Sequence, residues 1–235
     1  PGVLSAPAAS LDRSDVASYG GKAANFGILR VAIPEASPDP AIAFSFDLFD
    51  RLMARPSADT TLGAAIAARL GQYTWPPDMA ALATDLAAVR DLVKATAFAP
   101  EDVSAIKSAL APFDPNRNIR FRSSTNVEDT TTFTGAGLYD SYSGCLADDD
   151  DADGAGPSRC DTTEADERGV VRAILKVYAS FWNDNAFLAR LEHGVDPTEV
   201  AMGLLVHHSY PDSEELANGV AIVHDAGSSR HHTLT

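Results

Sequence analysis

Residues 119–125, Ile-Arg-Phe-Arg-Ser-Ser-Thr, alternate with the two-residue period of a β-strand: Ile119, Phe121 and Ser123 fall on one side, Arg120, Arg122 and Ser124 on the other. Such a strand narrows the choice of folds. Its apolar side requires a packed core, while its arginine side must remain near water or an anion, because guanidinium groups are rarely buried without a partner. The chain therefore has to build a sheet with one covered face and one face at least partly open.

The material for the core lies on both sides of this strand, and the texture changes at Pro112. Upstream, residues 22–30, 43–54, 61–70, 79–97 and 100–110 carry apolar side chains at helical spacing, and the last opens on Pro100, Glu101 and Asp102, which suit a helix start. Downstream, residues 138–144 read as a second strand. A helix is expected from Thr163, capped by way of Asp166, with Val170-Val171, Ile174-Leu175, Tyr178 and Phe181-Trp182 on one side, before a stop at Gly194. Residues 200–209 and 218–224 read as two further strands. The expected fold class is mixed α+β: a helical part over 1–112, then a β-rich part over 113–235 with an acidic insertion at 146–167.

The 235 residues suffice for a core, and no apolar run approaches the ~20 residues of a membrane span. Eighteen basic against thirty-three acidic residues give a net charge of −15, which argues against nucleic acid as a partner. More than half of that excess sits between Asp148 and Glu167, where nine acids face Arg159 alone. Asp149, Asp151, Asp153 and Gly154 form the first half of a calcium loop, but Cys160 stands where the closing Glu belongs, so a solvated, mobile insertion is the preferred reading. Cys145 and Cys160 flank the insertion. Either they form a disulfide, which implies an oxidising compartment and export, or they are two reduced thiols of a cytosolic protein.

Residues 120–141 (RFRSSTNVEDTTTFTGAGLYDS) gather guanidinium groups, hydroxyls and a glycine turn, the chemistry of an anion site: Arg supplies planar donors, and Gly135 and Gly137 permit close backbone approach. The plainer alternative is a surface strand whose arginines pair with Glu128 and Asp129. This segment resembles the Arg-Ser-Ser region of the nucleotide-binding domain of the phosphoenolpyruvate synthase and pyruvate phosphate dikinase family. YGGKAANFGIL at 19–29, KVYASFWNDNAFLARLEHG at 176–194 and AMGLLVHHSYPDSEELANGVAIVHD at 201–225 resemble other parts of that domain, in the same order.

The resemblance implies an ATP-grasp-like fold, with Lys22 and Arg122 holding the ATP phosphates. Ser123, Ser124, Gly135 and Gly137 would shape the cradle, and Glu128 or Asp129 would orient the arginines. Main-chain groups of Leu205, Val206 and His207 would meet the adenine edge, Mg²⁺ would accompany ATP, and a phosphoryl group would pass to a histidine on another domain in a cytoplasmic enzyme. His207 and His208 face opposite sides of their strand, which argues against a shared metal. Two departures stand out. Asn185 replaces an expected Arg, and the family's metal-binding carboxylates fall beyond the sequence, so the expected domain is incomplete. A degenerate, non-catalytic and exported binding module of the same fold is the alternative.

Overall fold

The computed structural model describes residues 2–34, 38–127, 137–150, 155–197 and 199–210, and the backbone of 221–225 and 230–234. Strand β1 (Ser5–Pro7) leads through short 3₁₀ turns into helices α1 (Val16–Tyr19) and α2 (Gly21–Ala32), then β2 (Ala41–Phe44) and α3 (Phe46–Met53). A small hairpin, β3 (Pro56–Ser57) and β4 (Thr60–Thr61), precedes α4 (Leu62–Leu70), α5 (Met79–Ala95) and α6 (Pro100–Ala109). The remaining elements are β5 (Ile119–Thr125), β6 (Ser141–Gly144), α7 (Leu146–Asp149), α8 (Val170–Ala179), α9 (Asp184–Glu192), β7 (Met202–His208), β8 (Ala221–Asp225) and β9 (Arg230–Leu234).

The fold is mixed α+β, organised on an antiparallel sheet ordered β1-β2-β7-β5-β6; β8 and β9 pair separately. This sheet draws β1 and β2 from the helical stretch and the rest from the β-rich stretch, so the two share one core. On its broad apolar face Ile42 and Phe44 of β2, Leu204 and Val206 of β7, and Ile119 and Phe121 of β5 are buried under the helices. Helix α8 lies over β5 and β6, and Phe49 of α3 meets Tyr178 edge-on at 5.1 Å. Such pairs add to the burial of roughly 150–250 Å² that each ring brings.

Three expectations change. The helix expected over 43–54 begins only at Phe46, because Ala41–Phe44 forms β2 between β1 and β7. The helix expected from Thr163 begins at Val170, after Gly169, while the Thr163 hydroxyl donates to Asp161 Oδ1 at 2.6 Å. The described part of the acidic insertion is anchored by its own carboxylates. Buried Asp148 accepts from the Arg159 and Arg168 backbone N–H groups (2.8 and 2.7 Å), and Asp149 accepts from that of Val170 (2.7 Å). Cys145 and Cys160 are joined in a disulfide. Asp149 thus spends its carboxylate on the chain itself, and the other calcium-loop residues, Asp151, Asp153 and Gly154, lie outside the described residues.

Candidate functional site

The second face of the sheet is divided. Over β1, β2 and β7 it is covered by the first two helices, through a small apolar cluster of Ala8, Leu11, Tyr19, Ala23, Ala43 and Leu205. Over β5 and β6 it becomes polar: Arg120 stands opposite Ser143 and His207, and Arg122 opposite Ser141 and Leu205. Arg122 is exposed and Arg120 half-buried.

The start of α2 meets this polar strip by backbone contact. Gly20 has φ +82°, a conformation that side chains resist, and a Cβ added there would stand 2.5 Å from Ser124 Oγ and overlap the Ser124 carbonyl. Next to it, the Ala23 N–H donates to Ser124 Oγ at 3.0 Å in a buried hydrogen bond. Gly203 repeats the device, since a Cβ there would lie 2.7 Å from the Phe44 carbonyl oxygen and 2.8 Å from that of Tyr19. The segment carrying Lys22 is therefore pinned to β5 one residue from the Ser124 contact. Arg122 stands two residues along the same strand face, about 7 Å away.

Electrostatics on this strip are positive although the chain is strongly acidic. Burial, and after it the neighbouring Arg122 charge, lower the Arg120 pKa. His207 Nδ1–H donates to the His208 carbonyl at 2.8 Å, leaving Nε2 as an acceptor while the ring is neutral. Burial, followed by the Arg122 and Arg120 charges, holds its pKa below 6.5. An anion placed here would relieve both effects.

The expected site residues sort by geometry. Lys22, Arg122 and Ser124 are brought to one region. Ser123 lies on the opposite face, buried in the row of Leu204 and Phe44, because adjacent strand residues alternate. Ser124 is buried, and its hydroxyl serves the α2 backbone. Leu205, Val206 and His207 are paired with β2 on one side and β5 on the other, so the ladder consumes the main-chain groups expected at the adenine edge. His207 and His208 do face opposite ways, yet both are buried: His208 Nε2 accepts from the Asp114 N–H at 3.2 Å, and its ring meets Phe113 edge-on. Gly137 has φ +78° with open space around it, whereas Gly135, Glu128 and Asp129 lie outside the described residues. The sequence reading passed over Arg172 and Lys176 on α8, although like charges four residues apart on a helix repel each other and were a visible signal.

Residues 16–235 match the family described as the pyruvate phosphate dikinase AMP/ATP-binding domain. The chain belongs to that family. A rifampicin phosphotransferase from Streptomyces sviceus is 28% identical over 197 residues, covering 83% of this chain and 20% of the relative. The chain thus spans about a fifth of the length of the curated relative it matches. Membership makes the domain one for ATP binding within a phosphotransferase family. Among the described residues no helix is long and apolar enough to cross a membrane, and no three His, Cys, Asp or Glu side chains gather as a metal-binding set.

Proposed function

We infer that this chain is the ATP-holding portion of a dikinase-type phosphotransferase, with an ATP-grasp-like nucleotide site. Lys22 and Arg122 grip the phosphates from the first turn of α2 and the polar face of β5. A phosphoryl group then passes to a histidine on another domain, as in phosphoenolpyruvate synthase and pyruvate phosphate dikinase. The observation that carries this reading is the pinning of α2 to β5 through Gly20, Ala23 and Ser124, which joins two cationic segments about a hundred positions apart.

The chemistry asked of these residues is charge neutralisation and alignment, the main protein contributions to phosphoryl transfer. Arg122 offers a planar fork to phosphate oxygens, and Lys22 a point charge beside a helix start whose dipole favours anions. Ser124 acts as a positioning residue, while Gly135 and Gly137 would shape the cradle and Glu128 or Asp129 would orient the arginines. Mg²⁺, when bound with ATP, would add to the neutralisation of the phosphate charge. Among the described residues no three His, Cys, Asp or Glu side chains gather as a set for it.

Calorimetric titration of the chain with ATP, with and without Mg²⁺, tests the proposal. Micromolar binding abolished by Arg122→Ala and weakened at least tenfold by Lys22→Ala supports it; absence of heat from a folded wild-type chain refutes it. The Cys145–Cys160 disulfide favours a second reading, an exported binding module of the same fold without turnover. ATP binding without phosphoryl transfer to any histidine domain supplied in trans would select that reading.

A further inference from the structure

We propose that a second cleft, between the edge of the sheet and the start of α8, is an oxyanion subsite for a phosphoryl group, separate from the Lys22–Arg122 clamp. The cleft has a volume of about 330 Å³. Arg120, Tyr142 and Ser143 line it from the sheet, and Arg172 and Lys176 from α8. The proposal does not depend on the nucleotide reading, since none of its α8 residues belongs to that site.

The charges favour an anion. Glu164, Asp166, Glu167 and Arg168 also line the cleft, but Arg168 is ion-paired with Glu164. Among the described residues, Arg120, Arg172 and Lys176 form no ion pair. The Arg120 guanidinium makes one long hydrogen bond, 3.4 Å, to Ser143 Oγ, and the Lys176 ammonium sits 5.4 Å from the centre of the Tyr142 ring. Burial, then the Arg172, Arg168 and Lys94 charges, lower the Lys176 pKa, with Asp166 opposing only weakly. Four cations (Arg120, Arg168, Arg172 and Lys176) and three carboxylates (Glu164, Asp166 and Glu167) line the cleft, a net charge of +1 in a chain of net charge −15.

The donor set points to phosphate rather than a single carboxylate. Two guanidinium forks, an ammonium and the Ser143 and Tyr142 hydroxyls suit a tetrahedral dianion with several acceptor oxygens. Burial, followed by the Asp140 charge, raises the Tyr142 pKa, so its hydroxyl stays protonated at neutral pH; it makes one long hydrogen bond, 3.4 Å, to Asp140 Oδ2, and the Ser143 hydroxyl lies 3.0 Å from that of Ser209, partners that a phosphoryl oxygen would replace. The volume exceeds that of phosphate alone and admits a small phosphorylated molecule.

The test is calorimetric titration of the whole chain at low salt with inorganic phosphate, glycerol phosphate and acetate. Expected are saturable binding of both phosphates, much weaker binding of acetate, and a loss of roughly tenfold or more in Arg172→Ala and Lys176→Gln, as removal of one charge-assisted contact implies. Lys176→Arg should retain binding, and Arg122→Ala should change it less than threefold. Glycerol phosphate binding more tightly than phosphate would identify a phosphate ester as the ligand, and equal affinities would identify the free anion. Circular dichroism checks the fold of each variant, and Lys176→Gln decides the question if Arg172→Ala unfolds. No saturable phosphate binding by wild type, unchanged affinity in folded Lys176→Gln, or loss confined to Arg122→Ala would overturn the proposal.

Discussion

Replacing Gly20 with alanine tests whether backbone contact at the α1–α2 junction builds the nucleotide site. At φ +82° and ψ 168° the residue occupies a region that is essentially reserved for glycine, and forcing alanine into it costs about 1–3 kcal/mol. The new Cβ would also overlap the Ser124 carbonyl and stand 2.5 Å from Ser124 Oγ, both belonging to a central strand that cannot yield without disturbing its partners. The junction must lift instead. Lifting breaks the 3.0 Å bond between the Ala23 N–H and Ser124 Oγ, and leaving that buried donor unpaired costs about 1–3 kcal/mol more. The sum, roughly 2–6 kcal/mol, corresponds to a fall in Tm on the order of 10 °C for a chain of this size. Thermal unfolding by circular dichroism gives the stability, and ATP titration below the new Tm gives the function. Ser124→Ala, which removes the hydrogen bond alone, should lose only about 2 kcal/mol. A Gly20→Ala protein with wild-type Tm and wild-type ATP affinity would show that the contact positions nothing.

Three further outcomes are expected. Reducing Cys145–Cys160, or replacing both with serine, should lower unfolding stability by about 3 kcal/mol through loss of a crosslink spanning 15 residues; finding two free thiols in the denatured, unreduced chain would contradict the bridge. Burial raises the Asp149 pKa against opposing backbone hydrogen bonds, so the folded chain holds that proton more tightly than the unfolded one. The stability tied to it falls as pH rises from about 3.8 through the folded value, and Asp149→Asn, compared with wild type by urea midpoints from pH 4 to 7, should flatten that slope. His207 is depressed below 6.5, so its share of stability is present above 6.5 and lost as pH falls towards the folded value. Its imidazole resonance should titrate upwards in Arg122→Ala, and an unmoved titration would place the Arg122 charge away from the ring.

The sequence was most legible where one element had one environment. β5 alternates because one face is packed and the other polar, and α5 carries an Asp78 cap and an apolar stripe, so its start was readable from local signals. β2 escaped because Ile42 and Phe44 are buried on one face and Ala43 on the other, which erases alternation and lets Ala41–Phe44 merge with the helical pattern that follows. The acidic insertion looked solvated because its charge was counted, whereas Asp148 and Asp149 work as acceptors for distant N–H groups, a role composition does not reveal. Lys22 and Arg122 were joined by resemblance. The physical link between them, Gly20 and the Ala23 N–H set against Ser124 more than a hundred positions away, has no local pattern.

That link also bears on how a chain of net charge −15 would keep the proposed anion site ready. Arg120 and Arg122 project from one strand face about 7 Å apart, and their repulsion amounts to between about 0.6 kcal/mol in bulk water and about 2 kcal/mol near a protein surface. Long flexible cations would normally escape such a cost by swinging towards the abundant carboxylates. Here β5 is clamped between β6 and β7, and the α2 start is held by backbone contact at Gly20 and Gly203 rather than by adjustable side chains. The strain of gathered charge therefore cannot relax through the scaffold, and a phosphate at the proposed site would gain the attraction without first having to bring β5 and the α2 start together.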